Sequence, residues 1–264
     1  MSTLPELNWL DDANFTIDGT SFTVYNFFGS SKAAEERNQD STVYWIAKPR
    51  WRIDAYVETL RQLQPRNILE VGVFMGGACV FLDVLCRPER LAAIELKEGP
   101  LPLLSGYIKQ HERQEAVKIY RGVDQSDGVA VPAILDEAFG DESIDLVIDD
   151  ASHLLNQTRS TFNMVFPRMR PGGLYVIEDW TWAHQNISNN EHVDGMFPDE
   201  VPLTVLAYEL LLVLASTDDL IADLRFDKNS IFVTRGEEPL PDRRMDVSSL
   251  YHERGRRLLP TFDT

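Results

Sequence analysis

The chain has 264 residues, of which 44% are hydrophobic, and a formal net charge of −17 at pH 7. This hydrophobic content can fill the core of one α/β domain with additions or of two small domains, and it argues against global disorder. The negative charge disfavours nucleic acid and anionic membranes as partners, whereas it fits a neutral or cationic small ligand as well as it fits simple solubility.

Features that would indicate export or membrane insertion are missing from the sequence. No stretch approaches the roughly 20 apolar residues of a membrane helix, and the first residues lack the basic and apolar segments of a secretory signal. The spacing of Cys79 and Cys86 fits neither a metal-binding CxxC pair nor a disulfide framework. We therefore expect a cytoplasmic protein, and we leave the number of subunits open, with a homo-oligomer among the options.

The predicted elements begin with a leader, residues 1–50. Its segment NFTIDGTSFTVY alternates apolar and polar positions around Asp18 and Gly19, which is typical of a β-hairpin. The polar segment FFGSSKAAEERNQDST follows, with Gly29 as a hinge. We expect this segment to close over the functional site as a lid.

Residues 51–235 alternate between strand and helix patterns. The strand patterns are NILEVGV, LAAIEL, KIYRGV, IDLVID and GGLYVIED, and the helical patterns cover residues 51–63, 78–86, 154–168 and 202–216. This alternation predicts a parallel sheet with helices on both faces. LIADLRF and SIFVTRG, separated by DKN, predict a terminal hairpin, and residues 236–264 resemble a tail.

A glycine-rich turn separates the first of these strands from the helix that follows it. Gly72, Gly76 and Gly77 let the backbone turn sharply and approach a ligand closely, and the helix N-terminus offers free N–H groups. Glu95 ends the next strand, where an acid can accept hydrogen bonds from ribose hydroxyls. A turn that serves only packing is the alternative.

The positions of the acids and glycines indicate which nucleotide is bound. The dinucleotide fingerprint is G-x-G-x-x-G, whereas this turn reads E-x-G-x-x-x-G-G and starts with Glu70. A nicotinamide dehydrogenase is therefore disfavoured. The stretch resembles motif I of class I S-adenosylmethionine (SAM) methyltransferases, with Glu95 in the position of the ribose acid. The resemblance implies SAM contacts at Glu70, Gly72, Gly76 and Glu95.

The same resemblance implies the fold class. We expect an α/β, Rossmann-like class I methyltransferase fold, whose mostly parallel seven-stranded sheet carries a terminal antiparallel hairpin. In open α/β sheets the ligand lies beyond the carboxyl ends of the strands. The functional residues should therefore follow the strand patterns directly.

Four acids follow two of the predicted strands. Asp149 and Asp150 end IDLVIDD, while Glu178 and Asp179 end LYVIED. One helix connects the two strands, so we expect the strands to be neighbours, about 4.8 Å apart. Asp150, Glu178 and Asp179 would then converge and repel each other unless a cation lies among them. Oxygen ligands of this type favour Mg²⁺, with Ca²⁺ and Mn²⁺ as alternatives.

A narrower resemblance depends on the segments RGVDQSD, DDASH and FPRMRPGGLYVIEDW. They are similar to the metal-dependent sugar O-methyltransferases of macrolide biosynthesis (the macrocin and mycinamicin group) and to the cephalosporin hydroxylase-like family. The similarity covers about residues 55–182. It implies metal-ligand roles for Asp150, Glu178 and Asp179, a general-base role for His153, and a place beside adenine for Asp124.

Several side chains keep alternative interpretations. Asp149 could contact SAM, or instead cap the following helix or accept hydrogen bonds from backbone N–H groups. His153 could be a cap or a supporting group rather than the base. Ser152 is read as a helix N-cap rather than a nucleophile. Trp180 and Trp182 either line a substrate pocket or pack a loop.

The sequence thus predicts a SAM-dependent and divalent-metal-dependent O-methyltransferase that acts on a hydroxyl of a small molecule, with a sugar of a secondary metabolite as the first choice. A catechol-type phenol is the alternative acceptor. A SAM-fold accessory or hydroxylase-type protein without methyl transfer is the alternative function. The chain departs from the family at Ala151, where members commonly have glycine, and in a leader that does not match their large N-terminal domain.

Overall fold

The computed structural model describes residues 5–25, 42–184, 201–240, 242–252 and 254. The predicted lid, apart from Thr42, and the last ten residues of the predicted tail lie outside the described residues. The closure of a lid therefore stays a prediction, as do the boundaries that divide leader, methyltransferase domain and tail.

The described residues form an α/β fold with two sheets. The strands are β1 (Leu7–Trp9), β2 (Asn14–Ile17), β3 (Thr20–Val24), β4 (Tyr44–Ile46), β5 (Asn67–Val71), β6 (Arg90–Glu95), β7 (Val117–Arg121), β8 (Ile144–Asp149), β9 (Met169–Glu178), β10 (Ile221–Phe226) and β11 (Ser230–Arg235). The α-helices are α1 (Arg50–Leu63), α2 (Gly77–Cys86), α3 (Pro102–Gln110), α4 (Ala130–Phe139), α5 (Leu155–Val165) and α6 (Thr204–Ser216). No helix among these residues is both long enough and apolar enough to cross a membrane.

The smaller sheet has four strands in the order β1-β2-β3-β4. β2 and β3 form the predicted hairpin, which is joined by Asp18 (φ 46°) and Gly19 (φ 75°). Positive φ at both turn residues matches the right-handed twist of the strands. β4 pairs with β3 in parallel, an element that the sequence patterns did not indicate.

The larger sheet has seven strands in the order β10-β11-β9-β8-β5-β6-β7. β5, β6 and β7 run parallel, as do β8 and β9, while β11 lies antiparallel to both β9 and β10. Every residue of β5 and of β8 is buried, as expected for strands covered on both faces. The predicted fold class is confirmed.

The chain divides into two compact units. The first comprises Met1–Val123 with Ala138–Gly140, and the second comprises Asp124–Glu137 with Asp141–Thr264. In the first unit the glycine turn joins β5 to the buried helix α2. In the second, α5 connects the parallel neighbours β8 and β9, so the predicted adjacency of these two strands is confirmed.

Two helices were not predicted from the sequence. α3 begins with Pro102, whose fixed φ suits the first helical position, but the helix is short and Gly106 interrupts its pattern. α4 contains Pro132 in its first turn. Asp127 accepts hydrogen bonds from the N–H groups of Val129 and Ala130 at the start of α4, and this satisfies donors that a helix start leaves open.

Candidate functional site

In the first unit, the glycine turn follows the carboxyl end of β5. Gly72 has φ 92° and donates its N–H to the Ile94 carbonyl at 2.9 Å. Gly76 has φ 85° and is the N-cap residue of α2. A Cβ atom at Gly77 would lie 1.8 Å from the Trp45 carbonyl oxygen of β4. Packing alone therefore requires glycine at position 77, whatever the turn binds.

Glu95 lies at the end of β6 and holds this turn in place. Its Oε2 accepts the N–H groups of Val73 and Phe74, both at 2.9 Å, and its Oε1 accepts the N–H of Lys97 at 2.9 Å. A carboxylate has about four acceptor positions. About one position stays open for a ribose hydroxyl, and accepting both hydroxyls would require the exchange of one backbone contact.

Glu70, the acid before the glycines, is only 1% exposed. Its Oε2 accepts a hydrogen bond from the Cys79 thiol in the first turn of α2. Burial, together with the nearby Glu70 carboxylate, raises the pKa of Cys79 well above its ordinary value. The thiol therefore keeps its proton and remains a donor to Glu70.

In the second unit, Asp149 ends β8 with a carboxylate that is 2% exposed. It accepts hydrogen bonds from the Tyr175 hydroxyl at 3.0 Å and from Gln125 Nε2 at 3.1 Å. Burial raises the pKa of Asp149 to about 7, although both hydrogen bonds oppose the rise. Burial and Asp149 also raise the pKa of Tyr175, so its hydroxyl stays a donor.

The structure distinguishes between the interpretations of Asp149 and Ser152. The N-cap residue of α5 is Leu154, and no side chain caps this helix. The prediction of Ser152 as the N-cap was therefore wrong, although its hydroxyl accepts the Leu154 N–H at 3.3 Å. Asp149 is not a cap either, and its contact with SAM stays a prediction.

Next to Asp149, three side chains converge at the carboxyl ends of β8 and β9. Asp150, His153 and Asp179 each offer one ligand atom, and these atoms all lie within 4.8 Å of one another. We call this set the acid–histidine cluster. Two carboxylates and an imidazole suit a divalent cation, since oxygen ligands are typical of Mg²⁺ and imidazole is accepted by several transition metals.

His153 has a defined orientation in the acid–histidine cluster. Its Nδ1 lies 3.3 Å from the Glu178 carbonyl oxygen, and its Nε2 lies 3.9 Å from Asp150 Oδ1. A carbonyl oxygen can only accept, so Nδ1 carries the proton in the neutral ring. The lone pair of Nε2 is then available beside the carboxylates, either as a base or as a ligand.

Two members of the cluster have strained backbones. His153 has φ 58° and Asp179 has φ 56°, in the left-handed region that side chains other than glycine rarely adopt. Such conformations cost on the order of 1–3 kcal/mol and persist only where surrounding contacts enforce them. His153 and Asp179 therefore depend on such contacts at this site.

A hairpin turn, residues 227–229 between β10 and β11, holds the conformation of the loop that carries Asp179. We call it the brace turn. Each of its three carbonyls accepts one hydrogen bond from that loop: Asn229 from the Asp179 N–H at 2.6 Å, Asp227 from Trp180 Nε1 at 3.1 Å, and Lys228 from the Thr181 hydroxyl at 2.8 Å. These contacts fix Asp179 although its backbone is strained.

Aromatic side chains lie beside the acid–histidine cluster. The rings of His153 and Trp182 lie 4.7 Å apart at 38°. The small pocket there is lined by His153, Leu154, Trp180, Trp182, Ala183, Val201, Pro202 and Leu203. Trp180 also packs its ring edge-on against Phe226 at 5.8 Å, so it serves the loop as well as the pocket.

The structure brings together only part of the predicted ligand set. Asp150 and Asp179 meet, whereas the carboxylate of Glu178 does not belong to the acid–histidine cluster within the described residues. Glu178 is 1% exposed, and its carbonyl oxygen faces His153. Its role as a ligand stays a prediction. Asp124 lies in the loop after β7, where its carboxylate accepts the N–H and hydroxyl of Ser126.

Gln125 and Tyr175 support the site but were not singled out from the sequence. Gln125 lies in the RGVDQSD segment, where only Asp124 had been considered. Tyr175 lies in the apolar run LYVI of β9, whose residues 175–178 are all buried. No pattern in the sequence indicates that either side chain bonds to Asp149.

Comparisons with known proteins also indicate similarity to methyltransferases. Residues 69–180, less than half of the chain, match the family described as "Methyltransferase domain". Demethylmacrocin O-methyltransferase of Streptomyces fradiae is 44% identical over 75 residues, and mycinamicin VI 2''-O-methyltransferase of Micromonospora griseorubida is 42% identical over 74 residues. These matches cover 28% of this chain and only 18% of each relative.

Among solved structures, the MycE methyltransferase from the mycinamycin biosynthetic pathway, in complex with Mg and SAH, has a similar fold. The TM-score is 0.51 at 24% identity, over 70% of this chain and 50% of that chain. The predicted resemblance to class I methyltransferases of the macrocin and mycinamicin group is therefore confirmed.

Proposed function

We propose that this chain, which carries a methyltransferase domain at residues 69–180, is a SAM-dependent O-methyltransferase that requires a divalent cation. Its acceptor is a hydroxyl of a small molecule, with a sugar of a secondary metabolite as the first choice. The acid–histidine cluster carries the proposal, because two carboxylates and an imidazole meet at the carboxyl ends of two neighbouring strands. Further relatives named as O-methyltransferases of a rhamnosyl and an olivosyl compound support the choice of a sugar.

SAM, when bound, supplies the methyl group, and a divalent cation, when bound, supplies positive charge that favours deprotonation of the acceptor hydroxyl. Asp150 and Asp179 would hold that cation, together with Glu178 if its carboxylate turns toward them. His153 accepts the hydroxyl proton at Nε2. SAM bound in the first unit would supply its methyl group from sulfur to the acceptor oxygen that His153 deprotonates.

The surroundings of His153 suit a general base. The Nδ1 hydrogen bond to the Glu178 carbonyl selects the tautomer that leaves Nε2 unprotonated, and Nε2 lies 3.9 Å from the Asp150 carboxylate. The brace turn holds the loop that carries Asp179 before the acceptor arrives. Holding the reacting groups in position before the reaction accounts for a large part of the rate enhancement at such sites.

A catechol-type phenol is the second candidate for the acceptor. It can present two adjacent oxygens to the same carboxylate-bound cation, and the ring of Trp182 beside His153 offers a flat apolar surface for an aromatic acceptor. A panel of glycosides and catechols, assayed with radiolabelled SAM, separates the two classes.

Metal removal tests the proposed reaction directly. We expect EDTA to stop methyl transfer and added Mg²⁺ to restore it, while SAM affinity measured by calorimetry changes little. Full activity of metal-free protein in EDTA would refute the metal role. SAM binding without transfer to any acceptor of the panel would favour the non-methylating accessory function.

Glu95→Ala tests the cofactor site of the first unit. The substitution removes charge-assisted hydrogen bonds worth roughly 1.5–3 kcal/mol, so SAM affinity should fall about 10- to 100-fold by calorimetry. Part of the loss would come from the glycine turn, which Glu95 holds through Val73 and Phe74. Glu89→Ala is the matched control. The Glu89 carboxylate lies just before the first residue of β6, at the opposite end of the strand from Glu95, and pairs with Arg66. Equal SAM affinity of Glu95→Ala and the wild type would remove the assignment.

A further inference from the structure

The loop that carries Asp150 and His153 is held by a buried amide. We propose that Gln125 is a positioning residue that sets the geometry of the acid–histidine cluster without touching it. The proposal deepens the proposed function and rests on it. Gln125 lies between β7 and α4, so in the sequence it belongs to neither of the strands that end at the cluster. It is 5% exposed.

Both ends of the Gln125 amide are used. Nε2 donates to Asp149 Oδ1 at 3.1 Å and to Thr161 Oγ1 at 2.9 Å, and Oε1 accepts the Ser152 N–H at 3.0 Å. Thr161 returns a hydrogen bond from its hydroxyl to the Gln125 carbonyl oxygen at 3.0 Å. One side chain thus connects the end of β8, the loop after it and helix α5.

The bond to Ser152 is the contact that reaches the cluster. Ser152 lies between Asp150 and His153 in the chain, and its N–H belongs to the Ala151–Ser152 peptide, one peptide before the left-handed backbone of His153. A strained φ persists only where neighbouring contacts enforce it. Gln125 supplies such a contact at the residue next to the strain.

The chemistry of the amide explains why glutamine is suited to this position. A carboxylate has no N–H and would oppose the Asp149 carboxylate. A thioether of similar length would fill the space without making either bond. An amide of this length donates to Asp149 and accepts from Ser152 with the same group, and it does so at any pH because it does not titrate.

The test uses Gln125→Met, which keeps the volume and removes the amide, with Gln125→Glu as a second variant. The control is Gln157→Leu on α5, since the buried Gln157 Oε1 has no hydrogen-bond partner within the described part of the chain. Mg²⁺ binding is measured by calorimetry on the full chain. Supporting groups around metal ligands typically contribute about 10- to 100-fold in affinity, and we expect a loss of this size in both Gln125 variants. The Mg²⁺ affinity of the Gln157→Leu control should equal that of the wild type, and SAM affinity should not change in any variant. Excess Mg²⁺ should restore part of the rate of methyl transfer in the Gln125 variants.

A second measurement needs no metal and no turnover. Nitrogen-15 NMR of the His153 ring should show the Nδ1-protonated tautomer in the wild type and a mixture of tautomers in the Gln125 variants. Wild-type Mg²⁺ affinity and an unchanged His153 signal, with only a lower unfolding temperature, would overturn the positioning role. If the wild type binds no divalent cation but its His153 signal still changes in the variants, the proposed metal role fails while the positioning role stands.

Discussion

Asp150→Asn should remove nearly all turnover while leaving SAM affinity close to that of the wild type. Asparagine keeps the shape of the side chain but removes the negative charge that the acid–histidine cluster offers to a cation. It also removes the carboxylate that lies 3.9 Å from His153 Nε2. A bound cation contributes several kcal/mol to transition-state stabilisation, and each 1.36 kcal/mol is tenfold in rate. We therefore expect a loss of about 10³-fold or more in kcat.

The readouts for Asp150→Asn are kcat, Mg²⁺ affinity and SAM affinity, the last two by calorimetry. Asp141→Asn serves as the matched control. Its carboxylate lies in the same unit but is exposed, where it pairs with Arg243, and exposed pairs contribute little. If metal-loaded Asp150→Asn protein turned over at the wild-type rate, the acids of the acid–histidine cluster would have only a structural role.

His153→Ala should lower the rate by about 10² to 10⁴, the usual contribution of a general base, with Mg²⁺ and SAM still bound. A parallel loss of Mg²⁺ affinity would instead identify the imidazole as a ligand. His153→Asn is the better-tolerated variant, because asparagine adopts positive φ more readily than alanine and residue 153 has φ 58°. His252→Ala, at an exposed histidine of the same unit, should leave the rate unchanged. A rate within about twofold of the wild type in both His153 variants would exclude the base.

The position of the site could be predicted from the sequence because it depends on strand order. IDLVIDD and LYVIED were recognised as strands, and one connecting helix was enough to infer that they are parallel neighbours. The carboxyl ends of such strands share one edge of the sheet. The convergence of Asp150 and Asp179 follows from this reasoning, and the structure shows it.

The detailed geometry of the site depends on contacts that no local pattern encodes. Side chains alternate along a strand, so neighbours such as Glu178 and Asp179 start in different directions, and the positive φ of Asp179 changes its direction again. That φ is enforced by the brace turn, which is distant in sequence. The bonds of Gln125 to β8 and α5 are likewise tertiary, and helices α3 and α4 contain a glycine or a proline that obscures their periodicity.

The brace turn has a consequence for the order in which the protein acquires its site during synthesis. Its carbonyls meet Trp180 and Thr181 from 47 residues further along the chain. A nascent chain that has delivered β8 and β9 to the ribosome exit therefore has both carboxylates of the cluster, yet it lacks the three hydrogen bonds that the brace turn makes with the Asp179 loop. The cluster is completed only when β10, the turn and β11 have emerged and paired with β9. The last hairpin of the sheet therefore completes the geometry of the acid–histidine cluster, because the hydrogen bonds to the Asp179 loop form only once the brace turn is in place.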